Sequence, residues 1–191
     1  MPRKGFTSSP LGTAVVLLAT TAVILAGLWL VKGRGGGDDV TQVQLTGDVA
    51  AAAPKIGEPA ASFEATDING DAISSADLRG QPVWLIFGAT WCTDCRNEAL
   101  EIEAVQQTLG DQAHIVAIYV GEDLATVQGY AERLGLTSTQ VPDPDTVLGS
   151  AYRVMGIPTH YFLDADGTIA EIKVGSLTKA FALATLGELI G

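Results

Sequence analysis

Two cysteines three residues apart form the most reactive stretch of the chain, Trp91-Cys92-Thr93-Asp94-Cys95-Arg96. Thiols at this spacing can close a small disulfide ring and open it again, with one cysteine attacking and the other resolving. The attacking species is the thiolate, which is stabilised where the N–H groups of a helix N-terminus point at it. The stretch therefore predicts dithiol–disulfide exchange.

The alternatives for this pair are weaker. A structural zinc site needs four ligands, and besides the cysteines only His114 and His160 are available, far apart in the chain, so no metal is expected. Haem attachment requires a histidine directly after the second cysteine, where Arg96 stands. A purely structural bridge over so short a loop would constrain the unfolded chain little. We expect no cofactor other than a redox-active disulfide between Cys92 and Cys95.

The residues around the pair predict a strand followed by a helix. Residues 83–88 are apolar, rich in β-branched and aromatic side chains, and preceded by Gly80-Gln81-Pro82, which is typical of a buried strand. Downstream, apolar residues recur at helical spacing at Ala99, Ile102, Val105 and Leu109. The cysteines are therefore predicted at a helix N-terminus, where Cys92 should ionise more readily than a free thiol.

The first 54 residues differ in composition from the rest. Residues 11–31 are apolar and uncharged, long enough to cross a bilayer, after a short basic segment at 1–10. An uncleaved single-pass anchor is predicted, with a cleaved signal peptide as the alternative. Residues 32–54, rich in glycine and alanine, are predicted to be a flexible linker, with an edge strand near residues 40–45 as the alternative.

Residues 55–191 are predicted to form the folded domain, and they are strongly acidic. They carry 19 Asp and Glu against 7 Lys and Arg, a formal charge of −12, while the whole chain has −11. Such a surface repels phosphate backbones and anionic lipid headgroups. Nucleic acid is therefore not expected as a partner.

The order of elements predicts an N-terminal hairpin followed by β-α-β-α-β-β-α. The hairpin turn is Asn69-Gly70, a strong turn signal between short strands. The later elements are strands at 114–120, 159–163 and 168–174 and helices at 123–134 and from Ser176 or Thr178 onwards. Residues 141–144 are expected to break the chain before a short helix capped by Asp145.

Several separated motifs within residues 55–191 carry a family resemblance. They are Ile56-Gly57-x-Pro59, Asn69-Gly70, Asp77-Leu78-x-Gly80, the Trp-Cys-x-x-Cys-Arg stretch, residues 154–159 and Asp164-x-Asp166-Gly167. Together they resemble the thioredoxin superfamily, and within it the TlpA-like branch. The resemblance implies an α/β thioredoxin-like fold, a central mixed β-sheet flanked by helices with an N-terminal β-hairpin extension, here joined to the predicted transmembrane helix.

The same resemblance implies the activity and its setting. TlpA-like proteins are membrane-tethered thiol–disulfide reductases of the extracytoplasmic face, and several serve cytochrome c maturation. The implied substrates are therefore proteins that contain disulfides, and the implied electron donor is a membrane component. Cys92 is expected to be the exposed nucleophile and Cys95 the buried resolving thiol.

Four further residues are expected by resemblance to bind substrate. Pro158 should follow a cis peptide bond and face the disulfide, and Ile157 should offer its backbone to an extended substrate strand. Thr159 continues this segment, and Trp91 should form the rim beside the nucleophile. Trp84, in the predicted strand, is expected to serve packing alone.

The chain departs from the family pattern near the cysteines. Thr93-Asp94 lacks the proline common between the two cysteines, and Asp94 opposes thiolate formation whereas Arg96 favours it. Ile86, six residues before Cys92, occupies a position where thioredoxin has a buried acid.

A substitute for that missing acid is Glu98, which matches an acid that some relatives place near the site. It is a candidate proton acceptor or donor, with a solvated helix carboxylate as the alternative. His160 could titrate near the thiols or be turned away by strand alternation, which the pattern favours.

Two other functions on this fold stay open. A peroxiredoxin-like thiol peroxidase normally has a proline shortly before its reactive cysteine, and the residues just before Cys92, Phe87 among them, include none. A copper-chaperone-like binding module typically uses two cysteines four residues apart with a distant histidine, which this pair does not match.

Overall fold

The structure, a computed structural model, describes residues 18–26, 43–46 and 53–191. The chain divides into two compact units, Met1–Val40 and Thr41–Gly191. In the first unit, residues 18–26 are helical and exposed. The remainder of the predicted anchor at 11–31 lies outside the described residues, as does most of the predicted linker. Within the described ranges, no helix has both the length and the apolar character that a membrane crossing requires.

The second unit alternates strands and helices much as predicted. Its elements are β1 (Gln44–Leu45), β2 (Phe63–Thr66), β3 (Ala72–Ser74), β4 (Val83–Gly88), α1 (Thr93–Leu109), β5 (His114–Val120), α2 (Leu124–Leu134), β6 (Thr139–Asp143), α3 (Val147–Ala151), β7 (Thr159–Leu163), β8 (Ile169–Val174) and α4 (Lys179–Ile190).

The main sheet has five strands in the order β6-β5-β4-β7-β8. Strand β4 pairs parallel to β5, which pairs parallel to β6, whereas β7 runs antiparallel to both β4 and β8. A smaller antiparallel sheet has the order β1-β2-β3. The mixed sheet with an N-terminal hairpin is the predicted thioredoxin-like α/β architecture.

Strand β4 is central because both of its faces are covered. All six residues are buried, and alternate side chains enter different cores, as strand geometry requires. Val83, Leu85 and Phe87 pack with the hairpin and α3. Trp84 and Ile86 pack with α1 and α4 on the other face. A third, smaller cluster joins α1 to α2 through Ala99, Val127 and Tyr130.

Side-chain caps set the start of α2 and of α4. Asp123 accepts a hydrogen bond from the backbone N–H of Thr126 at the start of α2, which ends at Gly135 in the left-handed region, φ 65°. Thr178 caps α4 by accepting from the backbone N–H of Phe181. Of the two predicted starts for this last helix, the second is the one observed.

Strand β6 was missed because Pro142 interrupts it. A proline has no N–H to donate, but β6 is the edge of the sheet, and Pro142 is the register partner of Tyr119 without breaking the pairing. The prediction that residues 141–144 only break the chain is therefore wrong.

The predicted cap of the short helix α3 is also wrong. Thr146, not Asp145, occupies the cap position, and its side chain makes no capping bond. The backbone N–H groups of Val147, Leu148 and Gly149 instead donate to the carboxylate of Asp143, which is fully buried. An acid at the end of one strand thus ties that strand to the next helix.

Part of the predicted linker is structured. Gln44 pairs with Glu64 and Leu45 with Phe63, so these two residues form an edge strand. The half-buried side chains of Val43 and Leu45 pack against the core of the main sheet. The edge-strand alternative therefore holds for residues 44–45, with Leu45 turned toward the core and Gln44 exposed.

A buried carboxylate joins α1 to the segment before β6. Glu103 accepts hydrogen bonds from the backbone N–H and the hydroxyl of Thr137 and from the backbone N–H of Ser138. Burial acts to raise the pKa of Glu103, but these bonds and one from Gln107 outweigh it and lower the pKa below the ordinary value. The ionised form therefore contributes to the stability of the fold.

We expect Glu103→Ala to lower the free energy of unfolding at pH 7 by about 1–3 kcal/mol, because buried N–H groups lose their acceptor. Urea denaturation measures this. Since the folded-state pKa is lowered, the contribution is present above the ordinary carboxyl pKa of about 4.3 and is lost as the pH falls through the folded-state pKa. The difference in the free energy of unfolding between Glu103→Ala and wild type should therefore become smaller at acidic pH.

The matched control is Glu101→Ala, at an exposed position of the same helix. It should change the free energy of unfolding little at any pH. Equal losses for the two variants would contradict the role assigned to Glu103.

Candidate active site

The cysteine pair lies at the N-terminus of α1, as predicted. Cys92 is the N-cap residue, and its Sγ accepts a hydrogen bond from the backbone N–H of Cys95 at 3.2 Å. The two sulfurs are bonded as a disulfide, with the Cα atoms 5.3 Å apart. The backbone N–H that Cys92 caps therefore points at the sulfur that is expected to carry the negative charge after reduction.

The relative exposure of the two cysteines differs from expectation. Cys92 is only 7% exposed, whereas Cys95 is half-buried. The capping position accounts for this, because it turns Cys92 Sγ inward toward the first turn of α1. The expectation of an exposed Cys92 and a buried Cys95 is therefore wrong for the disulfide form.

The end of β4 packs closely on the second cysteine. A Cβ placed on Gly88 would lie 3.4 Å from Cys95 Sγ and 3.5 Å from its Cβ. These are ordinary van der Waals distances, so the end of β4 lies directly against Cys95.

Two charged residues hold the loop that leads into Cys92. Both carboxylate oxygens of the buried Glu122 accept from Thr90, one from its backbone N–H at 2.7 Å and one from its hydroxyl at 2.6 Å. Arg96 donates to the backbone carbonyl of Trp91 at 3.1 Å. The segment before the nucleophile is therefore fixed from the β5 side and from α1.

Sequence reasoning missed Glu122. The signal available was its position two residues after β5, because the carboxyl ends of neighbouring parallel strands lie at the same edge of a sheet. An acid shortly after β5 is therefore expected to lie near the end of β4, its parallel neighbour.

The predicted substrate-binding residues are partly assembled around the disulfide. The Ile157–Pro158 peptide bond is cis, as predicted. Pro158 lines a cleft together with Cys95 and Glu98. Thr159 is buried and donates its hydroxyl to the carbonyl of Gly156 at 2.6 Å, so its side chain serves the loop.

The apolar rim beside the site is exposed. Trp91, next to Cys92, is 69% exposed, and Met155 in the loop before the cis bond is 95% exposed. Ile157 is half-buried. Trp84, by contrast, is buried and stacks on Phe162, which confirms its expected role in packing.

Glu98 is a buried carboxyl, so the alternative of a solvated helix residue is wrong. Glu98 is the third residue after Cys95, about one helical turn further along α1. One of its carboxylate oxygens accepts a hydrogen bond from the backbone N–H of Leu177 at 2.9 Å, and the side chain is buried. Burial raises the pKa of Glu98 to about 7; the Leu177 bond acts against this, and the nearby charge of Asp94 adds to it. A carboxyl with this pKa can both take and give a proton at neutral pH.

His160 faces Glu98 and not the cleft beside the thiols, from which strand alternation was expected to turn it away. Its Nε2 lies 3.6 Å from Glu98 Oε2, and its ring is fully buried. Burial lowers the pKa of His160 to about 4. His160 does not line the cleft that Cys95 and Glu98 share; its register partner Ile86 does.

Comparison with known proteins agrees with this geometry. Residues 56–172 match the model of the AhpC/TSA family. The chain is 34% identical over 125 residues to the thiol-disulfide oxidoreductase ResA of Geobacillus kaustophilus (strain HTA426), covering 65% of this chain and 72% of that protein. It is 33% identical over 126 residues to the thioredoxin-like protein YneN of Bacillus subtilis (strain 168), covering 64% and 74%.

A solved structure gives the same fold. A thiol:disulfide interchange protein of the thioredoxin family from Chlorobium tepidum TLS superposes with a TM-score of 0.65 at 29% identity, covering 73% of this chain and all of that one. The chain belongs to the AhpC/TSA family, with the thioredoxin-like fold and the Cys92–Cys95 disulfide of a thiol–disulfide oxidoreductase.

Proposed function

We propose that the protein reduces disulfides in secreted or membrane-tethered proteins on the extracytoplasmic side of the cell membrane. The observation that carries the proposal is the Cys92–Cys95 disulfide at the N-terminus of α1. Relatives named thiol-disulfide oxidoreductase support the reaction class. The proposed substrates include apocytochrome c, an assignment that rests on the family resemblance.

The reaction begins from the dithiol form. The Cys92 thiolate attacks one sulfur of a substrate disulfide, forming a mixed disulfide and releasing the other substrate sulfur as a thiolate. The backbone N–H of Cys95, directed at Cys92 Sγ, stabilises the attacking charge. Cys95 then attacks Cys92, which releases the reduced substrate and regenerates the Cys92–Cys95 disulfide.

The second attack requires Cys95 to lose its proton. Glu98 lines the same cleft as Cys95, is buried, and has a pKa raised to about 7. We infer that the ionised Glu98 accepts this proton. It thereby takes the place of the acid that Ile86 does not supply six residues before Cys92.

Substrate binding uses the segment around the cis bond. The backbone of Ile157 offers hydrogen bonds to an extended substrate strand, and Pro158 faces the cleft beside the disulfide. The exposed indole of Trp91 adds apolar contact. Backbone recognition of this kind tolerates many substrate sequences.

A membrane location follows from the first 54 residues. The uncharged apolar run at 11–31 is long enough for a single-pass anchor. With the N-terminus on the cytoplasmic side, the domain that follows this run would lie outside the cytoplasm. Disulfides persist in that compartment, so a reductase there has substrates. By family resemblance, its electrons come from a membrane donor.

A trapping experiment in cells tests the cysteine roles and the location together. In full-length Cys95→Ser, the resolving thiol is missing, so mixed disulfides between Cys92 and substrate proteins should accumulate in the membrane fraction. Cys92→Ser should give none. Adducts on Cys95 in the Cys92→Ser variant would reverse the roles, and recovery of the uncleaved chain from the soluble fraction would contradict the anchor.

The direction of exchange is tested by the reduction potential of the full-length chain in glutathione or dithiothreitol buffers. A reductase should have a potential of about −250 mV or lower, near the value of about −270 mV for thioredoxin. A value between about −120 and −180 mV would identify an oxidant or isomerase and overturn the proposed direction.

Glu98→Gln should slow exchange about tenfold or more above pH 7, because the carboxylate that accepts the Cys95 proton is absent. Below pH 7 the wild-type Glu98 is itself mostly protonated, so the two rates should converge there. Stopped-flow measurement of substrate reduction between pH 5 and 9 gives both profiles. Glu101→Gln, on the exposed face of the same helix, is the control. Superimposable profiles for Glu98→Gln and wild type would remove Glu98 from the mechanism.

A further inference from the structure

His160 is a buried ionisable group beside the site that the proposed mechanism leaves unused. It lies on β7, two residues after the cis-proline, with its ring between Trp84 and Glu98. Among the described residues, neither ring nitrogen has a hydrogen-bond partner, and neither does Glu98 Oε2. Buried polar atoms without partners cost free energy, so three such atoms side by side require an explanation.

The geometry supplies one. His160 Nε2 and Glu98 Oε2 are 3.6 Å apart, and a movement of about half an ångström would bring them within hydrogen-bond distance. The backbone of Gly175 also lies near the ring and favours its protonated form. Nε2 is the ring nitrogen turned toward Glu98, so a hydrogen bond between the two residues would satisfy both atoms.

We propose that Glu98 and His160 hold one proton as a pair, and that His160 thereby sets the pH at which Glu98 can take the proton of Cys95. The inference rests on the proposed exchange function and deepens it. His160 is a positioning residue, because it acts on Cys95 only through Glu98.

The proton balance of the step is simple. When Cys95 is deprotonated, its S–H bond breaks, the electron pair stays on sulfur, and an O–H bond forms on Glu98. That proton can then lie on Glu98, which donates it to His160 Nε2, or on Nε2 beside the ionised carboxylate. The Cys95 thiolate attacks Cys92, and the substrate sulfur leaves with the electron pair of the broken bond and takes a proton from solvent.

The direction of the effect follows from the two arrangements of the shared proton. Both contain an Nε2–Oε2 hydrogen bond, whereas in the unprotonated pair, with the proton of the neutral ring assigned to Nδ1, Nε2 turns only a lone pair toward the carboxylate. His160 therefore makes the pair hold its proton to a higher pH than Glu98 would without it. The titration belongs to the pair, so it cannot be divided between the two residues from pH profiles of wild type alone.

Few other charges face this pair. On α1, Asp94 raises the pKa of Glu98, and Cys95 is bound in the disulfide. On β8, Lys173 is the register partner of His160, but its ammonium lies 3.6 Å from Glu171 and over the Phe181 ring.

The other packed elements contribute no ionisable side chain to this core. Before α4, the contact with Glu98 is the backbone N–H of Leu177. Strand β4 and helix α4 cover this side of the sheet with apolar or aromatic residues, namely Trp84, Ile86, Ala182 and Leu186. Among the described residues, the contact at 3.6 Å between them is the only ion-pair contact that Glu98 or His160 makes.

The test uses the oxidised full-length chain, in which the cysteines do not titrate. Carbon-13 NMR of the Glu98 carboxyl gives its titration midpoint in wild type and in His160→Phe, which keeps a ring beside Trp84. We expect the midpoint to fall by about one pH unit in the variant. An unchanged or higher midpoint would overturn the proposal.

The control is His114→Phe, the substitution of the other histidine of the chain, at the start of β5. It should leave the Glu98 midpoint unchanged. An equal fall in both variants would mean that the shift comes from general loosening of the fold and would contradict the pair.

A second measurement needs no folded His160→Phe. Nitrogen-15 NMR of the His160 ring in wild type should follow the titration of Glu98, and in Glu98→Gln the ring signals should no longer change through that pH range. If the His160 ring signals do not change as Glu98 titrates, the two residues do not share a proton, whatever result His160→Phe gives.

Exchange rates separate this inference from the proposed function. If both are right, His160→Phe still reduces substrate, and the rise of its rate with pH moves about one unit lower. If the wild-type chain shows no disulfide exchange while Glu98 and His160 still titrate together, the proposed function is wrong and the shared proton is still supported.

Discussion

The structure depends on the junction between β4 and α1, where a strand buried on both faces ends directly against a helix N-terminus. Gly88 is the last residue of that strand, and a side chain there would touch Cys95 Sγ at 3.4 Å. Cys92 caps the helix with its own sulfur. The reactive pair is therefore part of the backbone geometry that starts α1, so the fold and the chemistry share one constraint.

Buried carboxylates extend this constraint outward from the junction. Glu122 holds the residue two before Cys92 with both of its oxygens. Asp143 ties β6 to α3, and Glu103 ties α1 to the segment before β6. Each of these acids is buried and satisfied by backbone N–H groups, which makes it costly to replace. Glu98 differs, because one of its oxygens is left without a partner beside an equally unpartnered His160.

That difference separates structural acids from the one suited to proton transfer. Glu103 is held in its ionised form, because the hydrogen bonds that it accepts lower its pKa. Burial outweighs the three backbone hydrogen bonds to Asp143 and raises the pKa of that carboxyl, but both of its oxygens are tied to the start of α3. Burial with a single backbone donor instead raises the pKa of Glu98 to about 7. Its proton can therefore move at neutral pH, one helical turn from the cysteine that has to lose one. Ile86 on β4 and the histidine paired with it on β7 complete this side of the site.

Sequence by itself determined the local features. The apolar run of β4, the helical spacing in α1 and the cysteine spacing predicted the reactive junction, and the family motifs predicted the cis bond before Pro158. These signals are short-range, so the residue types carry them. Tertiary structure alone decided the rest. Pro142 lies in a strand because β6 is a sheet edge, and Glu98 is buried because the segment before α4 and strand β7 cover it. Burial and pairing between distant segments depend on how the elements pack, which no local pattern records.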